Sequence, residues 1–514
     1  MHVFDYQNIT TLFLELELKQ KMSLILSYLV YILYTFALVM VFVYSLAQLH
    51  LLVTYIKQSS KKDNSPVFSL DSDAETPFVT IQLPVYNEKY VMRRLLDCIS
   101  KIDYPKHKLQ IQVLDDSTDE SVQLTADMVA ELRKTGLDIT QIRRTNRVHF
   151  KAGALKEGLE TAKGDFIAIF DADFLPQPDW LKQTVGYFKD PKIGVVQTRW
   201  GHINRDYSLL TKVQAFMLDA HFTLEQSGRN LSGCFINFNG TAGIWRKACI
   251  IDAGNWSGDT LTEDLDLSYR AQLKGWKFKY LENVVTPAEL PVVVSAARSQ
   301  QFRWNKGGAE NFIKIFAKVA ASKTVSLKTK LHSFFHLINS SMFFFLLAIS
   351  VLSVPILFIK DHFAEFALFH KINRFFFVST IILFVANWVV YRKLHGNRFA
   401  IFVEYVQMFV AFFTIALGFS LHNTLAVAEA YAGKRSDFIR TPKFNISNLT
   451  DTWRGNQYLN AKLTTTNFFE FLLFLYFGLG VVSGILLRDY TMLPFHVMLF
   501  VGFGYITFKS LDSN

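Results

Sequence analysis

Cysteine is scarce in this chain, and its few copies are scattered. Three cysteines occur in 514 residues, Cys98, Cys234 and Cys249, and their separations match no metal-ligand spacing. The sequence therefore excludes a disulfide framework and is typical of a reducing compartment. Acidic residues are the minority among the charged ones: 44 Asp and Glu stand against 54 Lys and Arg, which gives a formal net charge of +10.

Charge is absent altogether from residues 23–56. This stretch is far too long for the apolar core of a signal peptide, which excludes that interpretation. At about 1.5 Å per residue, a helix of this length exceeds the ~30 Å hydrocarbon core of a bilayer. We therefore predict one long, tilted transmembrane helix after an amino-terminal segment at 1–22. Three lysines follow in a linker at 57–75, namely Lys57, Lys61 and Lys62. Their charge places the next domain in the cytoplasm.

Apolar side chains make up half of the chain and include 49 Phe, most of them after Gln300. This composition predicts an integral membrane protein. We interpret the excess of basic residues as cytoplasmic loops beside a bilayer and expect no nucleic-acid partner. Four further transmembrane spans are predicted at 331–359, 375–391, 468–487 and 492–508. Residues 399–421 are also apolar, but they contain Glu404 and have basic residues on both sides. We expect this segment to be an interfacial or re-entrant helix.

The middle of the chain, residues 76–300, alternates short apolar runs with amphipathic stretches. This alternation predicts βαβ units and a mostly parallel sheet, and hence an α/β domain. Interfacial helices are expected to follow it at 301–330. One apolar run, 167–170, ends in the sequence Asp171-Ala172-Asp173. Open parallel sheets place ligands at the carboxyl ends of their strands, where two carboxylates can hold Mg²⁺ with substrate phosphates. The alternative is an ordinary acidic surface turn.

A second predicted strand ends in Asp115 and Asp116, whose carboxylates can accept hydrogen bonds from a ribose or a nucleobase. The alternative is that the polar residues after them, Ser117 to Asp119, cap the next helix. Lys151 lies at the start of a predicted helix, an end that prefers negative charge. A diphosphate partner explains this lysine, although it can also be simply solvated.

Two further polar segments come before the second apolar region. The loop around Gly240 is rich in small residues, so a sugar or another segment can approach its backbone. Asp264 follows Thr262-Glu263, and a positioned carboxylate there can take a proton from an acceptor hydroxyl. The alternative is that Thr262 caps a helix and the acids favour its positive end.

The run Gln300-Gln301-Phe302-Arg303-Trp304 lies just before the second apolar region. An indole face stacks on a sugar ring, and a guanidinium pairs with a leaving phosphate. An interfacial helix is the alternative, because Trp and Arg are also at home at membrane surfaces.

In this order and spacing, the motifs resemble those of the processive, inverting glycosyltransferases of the cellulose synthase type. The chain looks most similar to the branch that makes mannan and glucan backbones, and the resemblance runs from about Phe78 to Lys443. The family's motifs occur here as Asp115-Asp116-Ser117, Asp171-Ala172-Asp173, Thr262-Glu263-Asp264, Gln300-Gln301-Phe302-Arg303-Trp304 and a gating loop, Phe438-Ile439-Arg440-Thr441-Pro442-Lys443.

This resemblance implies a GT-A-like cytosolic domain with a mostly parallel sheet, an α-helical transmembrane region and a gating loop region at 434–466. It also implies roles for individual residues. Asp115 or Asp116, Lys151 and Arg303 bind the nucleotide and its diphosphate. Asp171 and Asp173 hold Mg²⁺ or Mn²⁺. Asp264, with Glu263 beside it, is the catalytic base. Gln300, Trp304, Gly240 and Thr241 contact the acceptor. Phe438, Arg440, Thr441 and Lys443 close over the nucleotide.

The activity that the resemblance implies is that of a metal-dependent, inverting hexosyltransferase. It would transfer sugar from UDP-glucose or GDP-mannose to a growing β-linked polysaccharide and secrete the chain through its own transmembrane channel. The main alternative is transfer of a single sugar to ceramide or a similar lipid, because such enzymes share the acidic motifs. A channel or receptor with an inactive domain is disfavoured, since every acid that the chemistry needs is present. We expect a bacterial inner membrane or a Golgi membrane, with accessory proteins as further partners.

Overall fold

A computed structural model describes residues 6–59, 75–459 and 464–512 of the chain, with side chains from residue 19 onward. Several predicted features lie outside the described residues. These are Lys61, Lys62 and most of the linker, residues 1–5 of the amino-terminal segment, and residues 460–463 of the gating loop region.

The domain between the first and second apolar regions is built on one seven-stranded sheet. Its strands are β1 Val79–Val85, β2 Leu109–Asp115, β3 Asp138–Ile142, β4 Phe166–Ile169, β5 Ile193–His202, β6 Gly243–Arg246 and β7 Lys277–Ala288. Their order across the sheet is β3-β2-β1-β4-β6-β5-β7. Every neighbouring pair is parallel except the two pairs that involve β6, which is antiparallel to both β4 and β5. The mostly parallel α/β sheet predicted from the sequence is confirmed.

Helices cover both faces of this sheet, and one long helix precedes it. That helix is α1, Tyr6–Gln58. The helices within the domain are α2 Met92–Ile99, α3 Ser121–Arg133, α4 Phe150–Glu160, α5 Trp180–Thr184, α6 Leu209–Ala220, α7 Ser227–Leu231, α8 Lys247–Asp252 and α9 Glu263–Leu273. A π-helical turn, His221–Gln226, joins α6 to α7. Strands β1 and β2 are buried almost throughout, although polar residues, Thr or Gln, alternate with apolar residues in both. The buried polar side chains pair across the strands, as Gln82 Nε2 does in donating to Gln112 Oε1 at 3.0 Å.

The sheet topology decides where polar side chains meet. Strands β1, β2, β4, β5 and β7 all run in the same direction, so the segments that follow them emerge at one edge. Because β6 is antiparallel, the loop that precedes it comes to this same edge. The acidic pair after β4 and the small-residue loop before β6 therefore lie side by side.

The second half of the chain is helical. Its helices are α10 Val294–Ala321, α11 Leu327–Leu337, α12 Met342–His362, α13 Ala367–Phe375, α14 Val378–His395, α15 Phe399–Gly418, α16 Ser420–Tyr431, α17 Thr465–Leu486 and α18 Leu493–Asp512. Five helical stretches in the described residues are long and apolar enough to cross a membrane: Lys19–Gln58, Asn339–His362, Ala364–His395, Phe399–Gly418 and Thr465–Leu486.

The helix bounds differ from the predicted spans in two places. The span predicted at 331–359 is two helices, because Asn339-Ser340-Ser341 interrupts the run and these residues favour turns over helix interiors. Residues 6–22 of the amino-terminal segment are already part of α1, which continues without a break to Gln58. Length and apolarity alone do not decide which helices span, so the division into spans stays a prediction.

Helix α15, the predicted interfacial segment, packs on α6 of the sheet domain. Its residue Ile415 and the first residue after the helix, Phe419, join Leu210 and Val213 of α6 in one apolar cluster. At its other end, Tyr405 contacts Phe216 of α6 with ring centroids 6.1 Å apart. Because this helix is also long and apolar enough to cross a membrane, its interfacial position stays a prediction.

Candidate active site

A partly open cavity lies where the carboxyl edge of the sheet meets α10. Eleven of the sixteen residues predicted for the site line it: Lys151, Asp171, Asp173, Gly240, Glu263, Asp264, Gln300, Arg303, Trp304, Phe438 and Lys443. The other five, Asp115, Asp116, Thr241, Arg440 and Thr441, lie outside this lining.

The acidic pair sits directly after β4, and each carboxylate contacts a lysine. Asp171 Oδ1 lies 2.6 Å from Lys151 Nζ, and Asp173 Oδ2 lies 2.7 Å from Lys443 Nζ. Lys151 also donates to the carbonyl of Gly240 at 2.9 Å. Burial opposes the charge on Lys151, but the surrounding carboxylates, Asp171 first, outweigh it and raise the pKa of Lys151 above its ordinary value. Two cations therefore face the place where a diphosphate would lie.

Thr241 has a different position from the one we predicted. It is buried, and its hydroxyl accepts a hydrogen bond from the backbone N–H of Asp171 at 2.9 Å. The loop before β6 thus presents Gly240 to the cavity and turns Thr241 inward. Thr241 fixes the backbone of the acidic pair rather than contacting an acceptor.

The acidic pair fits a hard divalent cation. Asp173 Oδ1 is buried and makes no hydrogen bond within the part of the chain that the structure describes. Carboxylate oxygens are the ligands that Mg²⁺ and Mn²⁺ prefer. No group of three or more His, Cys, Asp or Glu in the described ranges is arranged to hold a metal. Two protein carboxylates with substrate phosphates and water is the usual ligand set for Mg²⁺.

Glu263 and Asp264 form the first turn of α9, across the cavity from the acidic pair. A Cβ added to Gly240 would lie 3.1 Å from Asp264 Oδ2, so the loop backbone passes directly beside this carboxylate. Gly240 has φ +80°, a conformation that favours glycine. Burial, and then the neighbouring charge of Glu263, raises the pKa of Asp264 to about 7. A carboxylate with such a pKa can accept a proton near neutral pH.

The alternative prediction was that Thr262 caps α9, but its side chain makes no capping hydrogen bond. Its hydroxyl instead accepts from Asn311 Nδ2 of α10 at 2.9 Å. Gly307 of α10 faces the same residue, and a Cβ there would lie 2.6 Å from Thr262 Oγ1 and 2.8 Å from its backbone nitrogen. Helix α10 therefore packs tightly against the turn that carries Asp264.

The predicted run from Gln300 to Trp304 lies on α10, and its residues Gln300, Arg303 and Trp304 line the cavity. Trp304 stands 6.5 Å from Trp200 between ring centroids, and Trp200 stands 5.0 Å from Phe174. This end of the cavity is aromatic, whereas the end with Lys151 and the acidic pair is charged.

The segment 432–459, which we call the covering loop, has no helix or strand and lies over the site. Arg303 Nη2 donates to Thr441 Oγ1 at 3.0 Å, and its guanidinium lies 4.5 Å from the ring centroid of Phe438. Arg440 pairs with Glu88 at 3.1 Å, just after β1. Thr441 and Arg440 therefore act outside the cavity, as ties between the loop and the domain.

Asp115 and Asp116, at the end of β2, are fixed by other side chains. Asp115 accepts from Gln141 Nε2 at 2.6 Å, and Asp116 is held by the guanidinium of Arg144 in a buried pair. Arg147 lies over the ring of Tyr86 at 3.3 Å. The sequence analysis missed Arg144 and Arg147, although the basic cluster 143–147 between two predicted elements was a usable signal.

Glu289, at the end of β7, was also missed. It lines the cavity, pairs with Arg94 at 2.7 Å and accepts from the backbone N–H of Phe444 at 2.8 Å. The covering loop is thus anchored next to Lys443. A lone Glu after a strand gives no sequence signal of this kind, since its partner is 155 residues away.

A mostly parallel sheet with an acidic pair, a candidate base and a cationic end in one cavity defines a glycosyltransferase domain with a GT-A-like fold. Residues 77–307 match the family described as "Glycosyltransferase like family 2". The predicted recognition is therefore confirmed at the level of the domain.

Two curated relatives illustrate the similarity. A probable glucomannan 4-beta-mannosyltransferase 4 from Oryza sativa subsp. japonica is 42% identical over 264 residues, which is 50% of this chain and 48% of the relative. Glucomannan 4-beta-mannosyltransferase 7 from Arabidopsis thaliana is 42% identical over 270 residues, 51% and 49% of the two chains. The chain spans about half the length of the curated relatives it matches.

Among solved structures, the mannosyltransferase PcManGT from Pyrobaculum calidifontis, in complex with GDP-Man and Mn²⁺, aligns with 71% of this chain and 100% of its own. The identity is 20% and the TM-score 0.49. The fold assignment therefore rests on the sheet topology and the family match.

Proposed function

We propose that this protein is a metal-dependent, inverting hexosyltransferase that extends a β-linked polysaccharide from a nucleotide sugar. One observation carries the proposal. A single cavity is lined by the carboxylates of Asp171 and Asp173, by Asp264, whose pKa is raised to about 7, and by the rings of Trp200 and Trp304, and a loop tied to its wall covers it. The similarity to mannosyltransferases supports the same activity.

The donor would lie with its diphosphate at the cationic end. Lys151, Lys443 and Arg303 all line this end and can offset the charge of the leaving nucleoside diphosphate. Asp171 and Asp173 would hold Mg²⁺ or Mn²⁺. When bound, the metal supplies Lewis-acid neutralisation of the diphosphate.

The acceptor would lie at the aromatic end, with its terminal hydroxyl towards Asp264. Asp264 takes the hydroxyl proton as that oxygen forms a bond to the anomeric carbon. The bond from the anomeric carbon to the phosphate oxygen breaks, and its electron pair leaves with the nucleoside diphosphate. Attack from the face opposite the leaving group inverts the configuration, so an α-linked donor gives a β-linkage.

The donor sugar is either mannose from GDP-mannose or glucose from UDP-glucose. The printed names of the relatives favour a mannosyl donor. The long apolar helices beside the site would form the path by which the polymer is secreted. The catalytic domain would then face the cytosol from a bacterial inner membrane or a Golgi membrane, with the polysaccharide, the lipid bilayer and accessory proteins as its further partners.

A donor panel tests the proposal. Purified protein in lipid nanodiscs receives labelled GDP-mannose or UDP-glucose with Mg²⁺ or Mn²⁺, and the product is digested with β-mannanase or β-1,4-glucanase. We expect a high-molecular-weight product that one of the two enzymes cuts. A small product that organic solvent extracts would instead assign the protein to the lipid glycosyltransferases.

A further inference from the structure

Lys306 lies on α10, the helix that begins at Val294. Its side chain is fully buried, with no exposed surface. Buried lysines are rare, because removing an ammonium from water costs several kcal/mol unless a partner offsets it. Its partners are Glu429 near the end of α16, at 3.2 Å, and the hydroxyl of Ser436. The next acid on the same helix face, Glu310, is committed elsewhere, since it accepts from the N–H of Leu261 at 2.8 Å.

Ser436 is the first residue of the covering loop that reaches into the protein. Helix α16 ends at Tyr431, and residues 432–435 are all exposed. The hydroxyl of Ser436 accepts from Lys306 and donates to Glu429 Oε2 at 3.3 Å. Lys306, Glu429 and Ser436 therefore form a closed group of three, which we call the clasp.

The clasp lies about one helical turn from Arg303, whose contacts hold the loop over the site. Arg303 and Lys306 are three residues apart on α10 and so share a face. Arg303 holds Phe438 and Thr441, which lie two and five residues after Ser436. Two residues span at most about 7 Å of chain. A larger displacement of Ser436 would therefore pull Phe438 away from Arg303.

We propose that Lys306 is a positioning residue that holds the covering loop closed over the donor site, through Glu429 and Ser436. This proposal deepens the proposed function and rests on it, because the closed loop contributes to donor binding only if the cavity binds a nucleotide-sugar donor. The alternative is that Lys306 serves only to join α10 to α16. Those helices already pack through Ala309, Val427 and Ala430, so they stay joined when the ammonium is removed.

Limited trypsin digestion of the full-length protein in nanodiscs tests this role. The readout is the rate of cleavage after Arg440, a bond that the closed loop protects because Arg440 is 13% exposed and paired with Glu88. Without nucleotide, we expect Lys306→Met to raise this rate about tenfold, because the variant loses a buried, charge-assisted hydrogen-bonding group. Glu429→Gln and Ser436→Ala should raise it in the same direction.

Lys434→Met is the matched control. Lys434 also pairs with Glu429, through the other carboxylate oxygen, but its side chain is 63% exposed. Exposed pairs contribute little, so the cleavage rate after Arg440 should stay at the wild-type value. If Lys306→Met fails to fold, the variants Glu429→Gln and Ser436→Ala still test the proposal, because both positions are only partly buried.

A kinetic split separates positioning from chemistry. In the three clasp variants, the KM for the donor should rise about tenfold while kcat stays within about twofold, because the loop still closes once the donor is saturating. Wild-type cleavage rates after Arg440 in all three variants would overturn the inference. Absence of turnover by the wild-type protein with every donor would overturn the proposed function alone, since the nucleotide-free digestion still decides the role of the clasp.

Discussion

Lys443 of the covering loop lies 2.7 Å from Asp173, a carboxylate that follows β4, although the two are 270 residues apart in sequence. The pair joins the loop to the candidate metal site. The next residue in the loop, Phe444, donates its backbone N–H to Glu289, so the loop is also anchored beside Lys443. Loop position and metal-site chemistry are therefore connected through one side chain.

The acidic pair should determine metal binding. We expect Asp171→Asn and Asp173→Asn to weaken Mn²⁺ binding in the presence of a nucleoside diphosphate by at least tenfold, because each removes one anionic ligand. Electron paramagnetic resonance of Mn²⁺ measures this without requiring turnover. Asp165→Asn is the control, since Asp165 is exposed at the opposite end of the same strand. Equal Mn²⁺ affinity in Asp171→Asn and wild type would assign the metal elsewhere.

Asp264 should be required for the chemical step. An asparagine has nearly the same shape but accepts no proton, so we expect Asp264→Asn to lower kcat by about 10²–10⁴-fold. Donor binding, measured by calorimetry with the nucleoside diphosphate, should change little. Asp259→Asn is a control from the same loop, because Asp259 is 63% exposed. Retained kcat in Asp264→Asn would rule out the base assignment.

The pH dependence of kcat/KM should report the same carboxylate. Burial raises the pKa of Asp264 to about 7, and only its ionised form accepts a proton. Below about pH 7 the ionised fraction falls, so kcat/KM should decrease about tenfold per pH unit. Above that value the profile should be flat until another group titrates. An acidic limb that persists unchanged in the residual activity of Asp264→Asn would point to a different group.

Gly307 should be intolerant of a side chain. An added Cβ would meet Thr262 at 2.6 Å from its hydroxyl and 2.8 Å from its backbone, so Gly307→Ala must shift the turn that carries Asp264. We expect a loss of about 1–3 kcal/mol in stability, seen as a lower Tm, and a reduced kcat. Gly308→Ala is the control, because its Cβ meets only the side chain of Ser340, which can rotate. Identical melting and turnover in the two variants would contradict the packing argument.

The site also shows why some predictions were accessible from sequence and others were not. Asp171, Asp173 and Asp264 were found because each follows or begins an element that its neighbours define. Thr241 was assigned to the acceptor together with Gly240 because the small-residue loop and the family resemblance gave both the same role. Gly240 does line the cavity, but the hydroxyl of Thr241 accepts from the backbone of Asp171. This difference between adjacent residues depends on the local dihedral angles, here the positive φ of Gly240, which the residue types alone did not specify.

The sequence by itself determined the mostly parallel sheet, the edge at which the acidic residues gather, and the helix over the uncharged residues 23–56, which is part of α1. These follow from local patterns, since apolar runs of strand length and the residues that end them act over a few positions. Only the tertiary structure decided that Lys443 reaches Asp173, that Arg144 holds Asp116, and that Lys306 is buried against Glu429 and Ser436. Such contacts depend on the path of loops between distant elements, and a charged residue carries no local sign of whether it faces water or a partner.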